Sequence, residues 1–368
     1  MKKRSTPRDR AGTFAIAMAL LGSLIGAGFL SGQELCQFFG IHGPWLFPAV
    51  AIAVVLMFVI GTVILRLAMD TGEGRMDKIV VFFDCKPLRA VVAVFEIVFV
   101  FMIYLVGVAA FGSLFEQMFA IPAIVGSAVF AVTIFALSLF GIKGLLRFFS
   151  LIIPLLVLCT VTIATVAMVR TGSFSFPTDA AQGMVSGIWP VDGASYAAFA
   201  LFCMLPVFVP FGASMHQAKR SVWRGVLIGM VLFTALTFVI LLAIATDTDV
   251  RAFAMPMIEL ATRINPVLGI IYGVLLIFGI FSATLSAAAS MSEYFARTFS
   301  EKRSFLIPVM GAASLAAFGL GLFGFRELVS VLFPFFGYLG VIPITLLLIH
   351  AWRFYRARRT KSKENAEV

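Results

Sequence analysis

Apolar residues run along this chain in long blocks, and charged residues are confined to the gaps between them. One crossing of a bilayer needs about 20 mostly apolar residues at about 1.5 Å of rise each. Ten blocks satisfy that rule: Thr13–Phe38, Trp45–Ala68, Arg89–Ser113, Ile121–Phe140, Leu146–Val169, Ser195–Ser214, Gly225–Ala245, Val267–Met291, Phe305–Phe323 and Leu328–Ile349. Backbone polar groups in lipid must be satisfied within their own segment, so each block is predicted to be helical. The fold class expected is all-α integral membrane.

The longest connection, Thr171 to Ala194, is rich in Gly, Pro and Ser and divides the ten blocks into five and five. Five is odd, so a second half that repeats the first must lie upside down in the bilayer. The predicted organisation is a tail (1–12), a first five-helix repeat (13–170), an outer linker (171–194), an inverted second repeat (195–350) and a second tail (351–368). The symmetry rests on the count alone. Inverted repeats of this kind are typical of secondary transporters, with the binding site at the midplane between them.

Composition agrees with the pattern: 61% of residues are hydrophobic and 12% charged, with a mean hydropathy of +1.06. The net charge of +10 does not point to nucleic acid, because the basic residues stand at the ends of apolar runs. With the N-terminus placed inside, 24 of the 28 Lys and Arg residues fall in inner segments, leaving Arg170, Arg251, Arg263 and Arg326 outside. Both termini are therefore expected in the cytoplasm, in the cell's inner membrane. The basic start resembles a signal peptide, but the apolar stretch after it is too long and lacks a cleavage site. It reads as a retained first span. Cys36, Cys85, Cys159 and Cys203 show no CxxC spacing, so neither disulfides nor a metal site built on them is expected.

The first block carries Gly22, Gly26, Gly28 and Gly32, then Gln33 and a carboxylate at Glu34. As one straight helix Thr13–Phe38 would be roughly 39 Å long. Glycine weakens a helix interior by about 1 kcal/mol against Ala, so Gly26-Ala27-Gly28 marks a midplane break. Freed N–H and C=O groups there must be met by protein, water or solute. The alternative is close packing, because Gly22/Gly26 and Gly28/Gly32 have small-xxx-small spacing. The sixth block has Pro206, Pro210 and Gly212 in its middle, which predicts a matching interruption in the second half.

The stretch "GSLIGAGFLSGQE" resembles the first-helix signature of the YkvI-like membrane proteins, within the amino acid–polyamine–organocation superfamily. The resemblance implies a LeuT-type fold of ten helices in two inverted repeats, with helices 1 and 6 unwound at a central site. It also implies transport of amino acids, amines or related solutes, driven by sodium or protons. In sodium-coupled relatives, carbonyls at the positions of Gly22 and Ile25 and eighth-helix hydroxyls hold the ion. Ser282 and Ser286 are an i, i+4 pair on one face of the eighth block, with Thr284 on another, and hard oxygen ligands suit a small cation. Relatives usually place two adjacent hydroxyls there; this chain has none adjacent. Proton-driven relatives place a Lys in the fifth span, where this chain has only Arg147 at its edge. The resemblance further puts Tyr104 at the level of a third-helix hydroxyl that meets substrate.

An intramembrane carboxylate is a functional candidate by default. Glu34 is expected to bind a cationic part of the solute, carry a coupling proton or pair with an outer Arg, and Gln33 to hydrogen-bond solute or backbone. Glu96, two turns inside the third block, is expected to line the inner vestibule or pair with a basic loop residue. His216, His350 and Glu293 stand at inner helix ends. No HExxH, GxSxG, paired-Asp or Walker A pattern occurs, which disfavours an intramembrane hydrolase and an ATP-driven pump. The chain is expected to be no enzyme but a secondary transporter of a small amino-acid-like solute, coupled to sodium or protons and working in the lipid bilayer. Its solute site would comprise Gly26, Ala27, Gly28, Gln33, Glu34, Tyr104, Pro206, Pro210 and Gly212. The alternative is a non-transporting sensor or assembly protein that keeps the same fold.

Overall fold

Glycine, proline and charge interrupt the apolar blocks, and a computed structural model of the protein places helices between those interruptions. It describes residues 12–81, 85–139, 143–215, 219–300 and 302–364. The tail before Gly12, His216 and residues 365–368 lie outside them, as do the side chains of Lys143, Arg147, Lys219, Arg220, Arg297 and Arg303. In chain order the helices are α1 (Thr13–Leu24), α2 (Ala27–Leu30), α3 (Gln33–Leu35) with a π-helical turn at Cys36–Gly40, α4 (Leu46–Thr71), α5 (Met76–Val80), α6 (Lys86–Phe119) and α7 (Ala123–Ser138). Then follow α8 (Lys143–Thr171), α9 (Trp189–Ala213), α10 (Lys219–Ala245), α11 (Pro256–Ile264), α12 (Pro266–Thr298), α13 (Arg303–Gly321) and α14 (Phe325–Glu364). Among the described residues, eight helices are long and apolar enough to cross a membrane, and α1 and α7 are shorter apolar helices. The protein is an all-helical, multi-pass integral membrane protein.

The first block is broken. Helix α1 ends at Leu24, Ile25 and Gly26 are extended, and α2 restarts at Ala27. Ser31-Gly32 interrupts the chain again, with Gly32 at φ 83°, a left-handed conformation that favours glycine. Gly32 is also packed tightly, since a Cβ there would stand 2.8 Å from Ile244 Cδ1. Around Gly22 and Gly26 no atom would lie within 4 Å of an added Cβ. These two glycines therefore face open space, and the packing reading does not describe them. The glycine seam that does pack α1 is on α10, where Gly225 meets Ile16 and Gly229 meets Ala17.

The sixth block is not broken, which corrects the expected symmetry of interruptions. Helix α9 runs unbroken from Trp189 to Ala213 with Pro206 and Pro210 inside it. Each proline removes one N–H from the ladder, leaving Phe202 O and Pro206 O without their usual donors. The remaining backbone bonds carry the helix through. Helix α9 also begins six residues before Ser195. Asp192 in its first turn accepts hydrogen bonds from Ser186 N at 2.8 Å and Gly187 N at 3.0 Å, anchoring the start near Pro190. Helices α4 and α9 pack through glycines: Gly61 lies beneath Met204, Gly193 abuts the Ala49 backbone, and Gly212 meets Ala68 and Leu65. Gly212 is thus a packing residue, and its expected solute role is corrected.

At one end of the bundle the 172–188 segment lies across the helices. Ser175 N donates to Ala245 O, Asp179 N to Ile41 O and Met184 N to Ser330 O. Arg251 bonds both Gly40 O, at 2.6 Å, and Asp179, at 2.7 Å. His42 Nε2 lies 3.1 Å from the buried Asp192 Oδ2. At the opposite end, where α1 begins and α14 ends, α14 continues for 40 residues in all and places Tyr355 and Arg358 on Asp70 at the end of α4.

Candidate functional site

The break in the first block opens onto a cavity of about 400 Å³. Its walls come from α1, α2, α3, α6, α8, α9, α12 and α14, and most of the lining side chains are apolar, Phe99, Phe199 and Phe333 among them. The solvent-exposed lining residues Gly22, Pro206, Val207, Ser286 and Ser290 all lie toward the end where α1 begins and α14 ends. Glu34, Tyr196, Phe199 and Phe333 lie at the other end of the cavity and are buried. The cavity is therefore open at one end and closed at the other, where the 172–188 segment adds a second layer.

Backbone groups at the break lose their helical partners. Gly26 N turns to Leu24 O at 3.1 Å instead of reaching Gly22 O. Neither Gly22 O nor Ile25 O finds a hydrogen-bond donor among the described residues. Both residues line the cavity with Ser282, Thr284 and Ser286 of α12. Ser286 Oγ donates to Ser282 O at 2.8 Å and the residue is exposed. Thr284 is buried against Gly107 of α6, its hydroxyl on Ile280 O. The structure thus brings Gly22, Ile25, Ser282 and Ser286 to one chamber, with the Thr284 hydroxyl turned to the α6 interface.

Of the expected solute residues, Gly26, Ala27, Gly28, Glu34 and Pro206 line the cavity. Glu34 is 6% exposed, and its Oε1 accepts a hydrogen bond from the Tyr196 hydroxyl at 2.9 Å. Its Oε2 makes no hydrogen bond among the described residues and stands 3.2 Å from where a Cβ on Gly28 would be. The other four expected residues are not on the wall. Tyr104 is hydrogen-bonded with Ser314 of α13 at 2.7 Å, which spends its hydroxyl away from the cavity. Pro210 approaches Gly74 of the loop after α4, and Gly212 sits in the α4 seam. Gln33 is buried outside the cavity, with its Oε1 unpartnered among the described residues. Glu96 is also off the wall, within electrostatic range of Arg75 and Asp77.

Two functional side chains escape the sequence reading. Tyr196 holds Glu34, and Tyr272 of α12 holds the unwound segment: its hydroxyl donates to Leu30 O at 2.6 Å and meets Thr160 at 3.1 Å. Each is an isolated tyrosine in an apolar block, the one visible signal, because a buried phenol needs a partner. A Tyr272→Phe variant is expected to lose about 1–2 kcal/mol of stability, read as a lower melting temperature of the solubilised protein. An unchanged melting temperature would remove this bond from the account.

No family model matches the chain. It is similar to YkvI, an uncharacterised membrane protein of Bacillus subtilis (strain 168), at 22% identity over 336 residues, 90% of this chain and 94% of that protein. It is likewise similar to the uncharacterised protein YyaD of the same strain, at 22% identity over 337 residues, 90% of this chain and 95% of that protein. Among solved structures it resembles MhsT in complex with L-phenylalanine, with a TM-score of 0.61 and 16% identity over 93% of this chain and 92% of that one. The chain is a distant homologue of the YkvI membrane protein and has a LeuT-like fold.

Proposed function

We propose that the protein is a secondary active transporter of a small amino-acid-like or related organic solute, working by alternating access and coupled to a cation, sodium or proton. The observation that carries this reading is the unwound stretch at Ile25–Gly26, where Gly22 O and Ile25 O lack donors among the described residues and both residues line a chamber open at one end only. A broken helix at such a chamber is a ready site for a solute and its coupling ion. The cation would sit against Gly22 O and Ile25 O with the Ser282 and Ser286 hydroxyls, and the solute against Gly26–Gly28. The fold shared with MhsT, solved with L-phenylalanine, is consistent with an amino-acid-like cargo.

In this reading the ten helical segments form two inverted five-helix repeats, 13–170 and 195–350, joined by the outer linker 171–194. Both termini lie in the cytoplasm, with 24 of 28 basic residues on that side, so the chamber is open inward. Solute and cation together favour the opposite conformer only through a difference in affinity between the two states.

The test is uptake of a solute panel into proteoliposomes with and without a sodium gradient. Flux that follows the gradient is expected. Ser286→Ala should raise the sodium concentration for half-maximal uptake by about tenfold, the worth of one bond to a charged group; unchanged sodium dependence removes Ser286 from the ion site. Absence of flux for every solute, with no ligand-induced thermal shift, overturns transport in favour of a sensor or assembly role.

A further inference from the structure

The charge distribution inside the chamber is one-sided. Among the described residues, Glu34 is the only Asp or Glu on its wall, and no Lys, Arg or His lines it. A carboxylate withdrawn from water costs several kcal/mol unless a partner meets it. Here one oxygen has the Tyr196 hydroxyl, which is a dipole and not a countercharge. The one side-chain hydrogen bond of Glu34 among the described residues goes to Oε1, which leaves the second oxygen, Oε2, without a donor there.

The space beside that oxygen is shaped by Gly28. A Cβ on Gly28 would lie 3.2 Å from Glu34 Oε2 and 3.2 Å from Phe333 Cε2, so only a residue without a side chain leaves the oxygen and the ring open to a common point. A cation there would meet the carboxylate, which attracts an ammonium, with the Phe333 ring beside it. Beyond it the wall is aromatic: Phe333 stacks on Phe199 with centroids 4.6 Å apart, and Phe99 lies 6.2 Å from Phe199. A chamber of about 400 Å³ is of the size that holds a small organic molecule.

We propose that Glu34 is the counter-ion for an ammonium group on the cargo, which is therefore a primary amine with an apolar body, seated with its ammonium between Glu34 Oε2, Gly28 and Phe333. This assignment rests on the transport reading and narrows its substrate class. Tyr196 orients the carboxylate, Gly28 provides the access, and the phenylalanine wall takes the apolar body.

The test compares 2-phenylethylamine with its uncharged isostere 2-phenylethanol and with 3-phenylpropanoate, by thermal stabilisation of the full chain and by competition for uptake in proteoliposomes. The amine is expected to act at a concentration at least tenfold below the alcohol, and the anion not at all. Glu34→Gln keeps an oxygen for Tyr196 and should erase the difference between amine and alcohol. Gly28→Ala, which leaves the carboxylate in place, should weaken the amine about tenfold through lost room. Equal action of amine and alcohol on the unmodified protein, preference for the anion, or amine selectivity surviving Glu34→Gln each overturns the assignment. The first of these needs no variant to fold. Uptake of some solute without amine preference defeats this assignment alone, whereas no uptake and no stabilisation by any probe defeats the transport reading beneath it.

Discussion

Gly28→Val is expected to abolish solute flux while the protein stays folded. The added side chain would enter the chamber at the point where the carboxylate of Glu34 and the ring of Phe333 converge, each 3.2 Å from the new Cβ. The residue has no left-handed backbone to strain, and it stands in a four-residue helical turn held by Leu30 N to Gly26 O and Ser31 N to Ala27 O. The damage is therefore to occupancy and not to the fold. Filling that space should lower initial uptake by about 100-fold, equivalent to about 2.7 kcal/mol of lost binding. The elution profile in detergent should stay unchanged and the melting temperature close to the original. Uptake within about threefold of the unmodified protein would show that cargo does not pass this point.

Gly193→Leu is expected to do the reverse and remove the folded protein. A Cβ at Gly193 would lie 2.5 Å from Ala49 O and 3.2 Å from Ala49 C, and both atoms are backbone. No rotamer change relieves such a clash, so α4 and α9 must move apart along a seam that also includes Gly61 and Gly212. Close backbone approach is what binds helices in a bilayer, where apolar contact with lipid is no worse than contact with protein. Overpacking of this kind costs about 3 kcal/mol or more. The check is the monodisperse yield on size exclusion, compared with Gly319→Leu, where an added Cβ meets nothing within 4 Å. Equal yields for the two variants would show that the seam tolerates separation.

Much of this architecture was legible in the chain because lipid imposes a single length and a single apolar rule on every crossing. The break in the first block was legible for a related reason: glycine is what a midplane helix can least tolerate without cause. Pro206 and Pro210 misled, since a proline removes one bond without deciding whether the bonds around it persist, and here α9 continues through both. Gly212 misled in the opposite way, because its requirement comes from Ala68 and Leu65 on another helix. Tyr104, Tyr196 and Tyr272 show the same limit. Their partners are Ser314, Glu34 and Leu30 O, 210, 162 and 242 residues away, and no local pattern reports a contact of that range. Glu34 and Glu96 both stood out because a charge in an apolar block needs no partner to be noticed, but only Glu34 lines the chamber.

Helix α14 has a mechanical corollary. At about 1.5 Å per residue its 40 residues form a rod about 60 Å long, near twice the hydrocarbon thickness. Phe333, against the chamber, lies 31 residues before the tip, so a tilt of about 10° there swings the free end through about 8 Å. Tyr355 and Arg358, docked on Asp70, stand along that swing. In the proposed transport reading the rod is a pointer whose short arm stands at the chamber, and a spin label or fluorophore on its distal turns would read filling and emptying of the chamber from the water beyond the membrane.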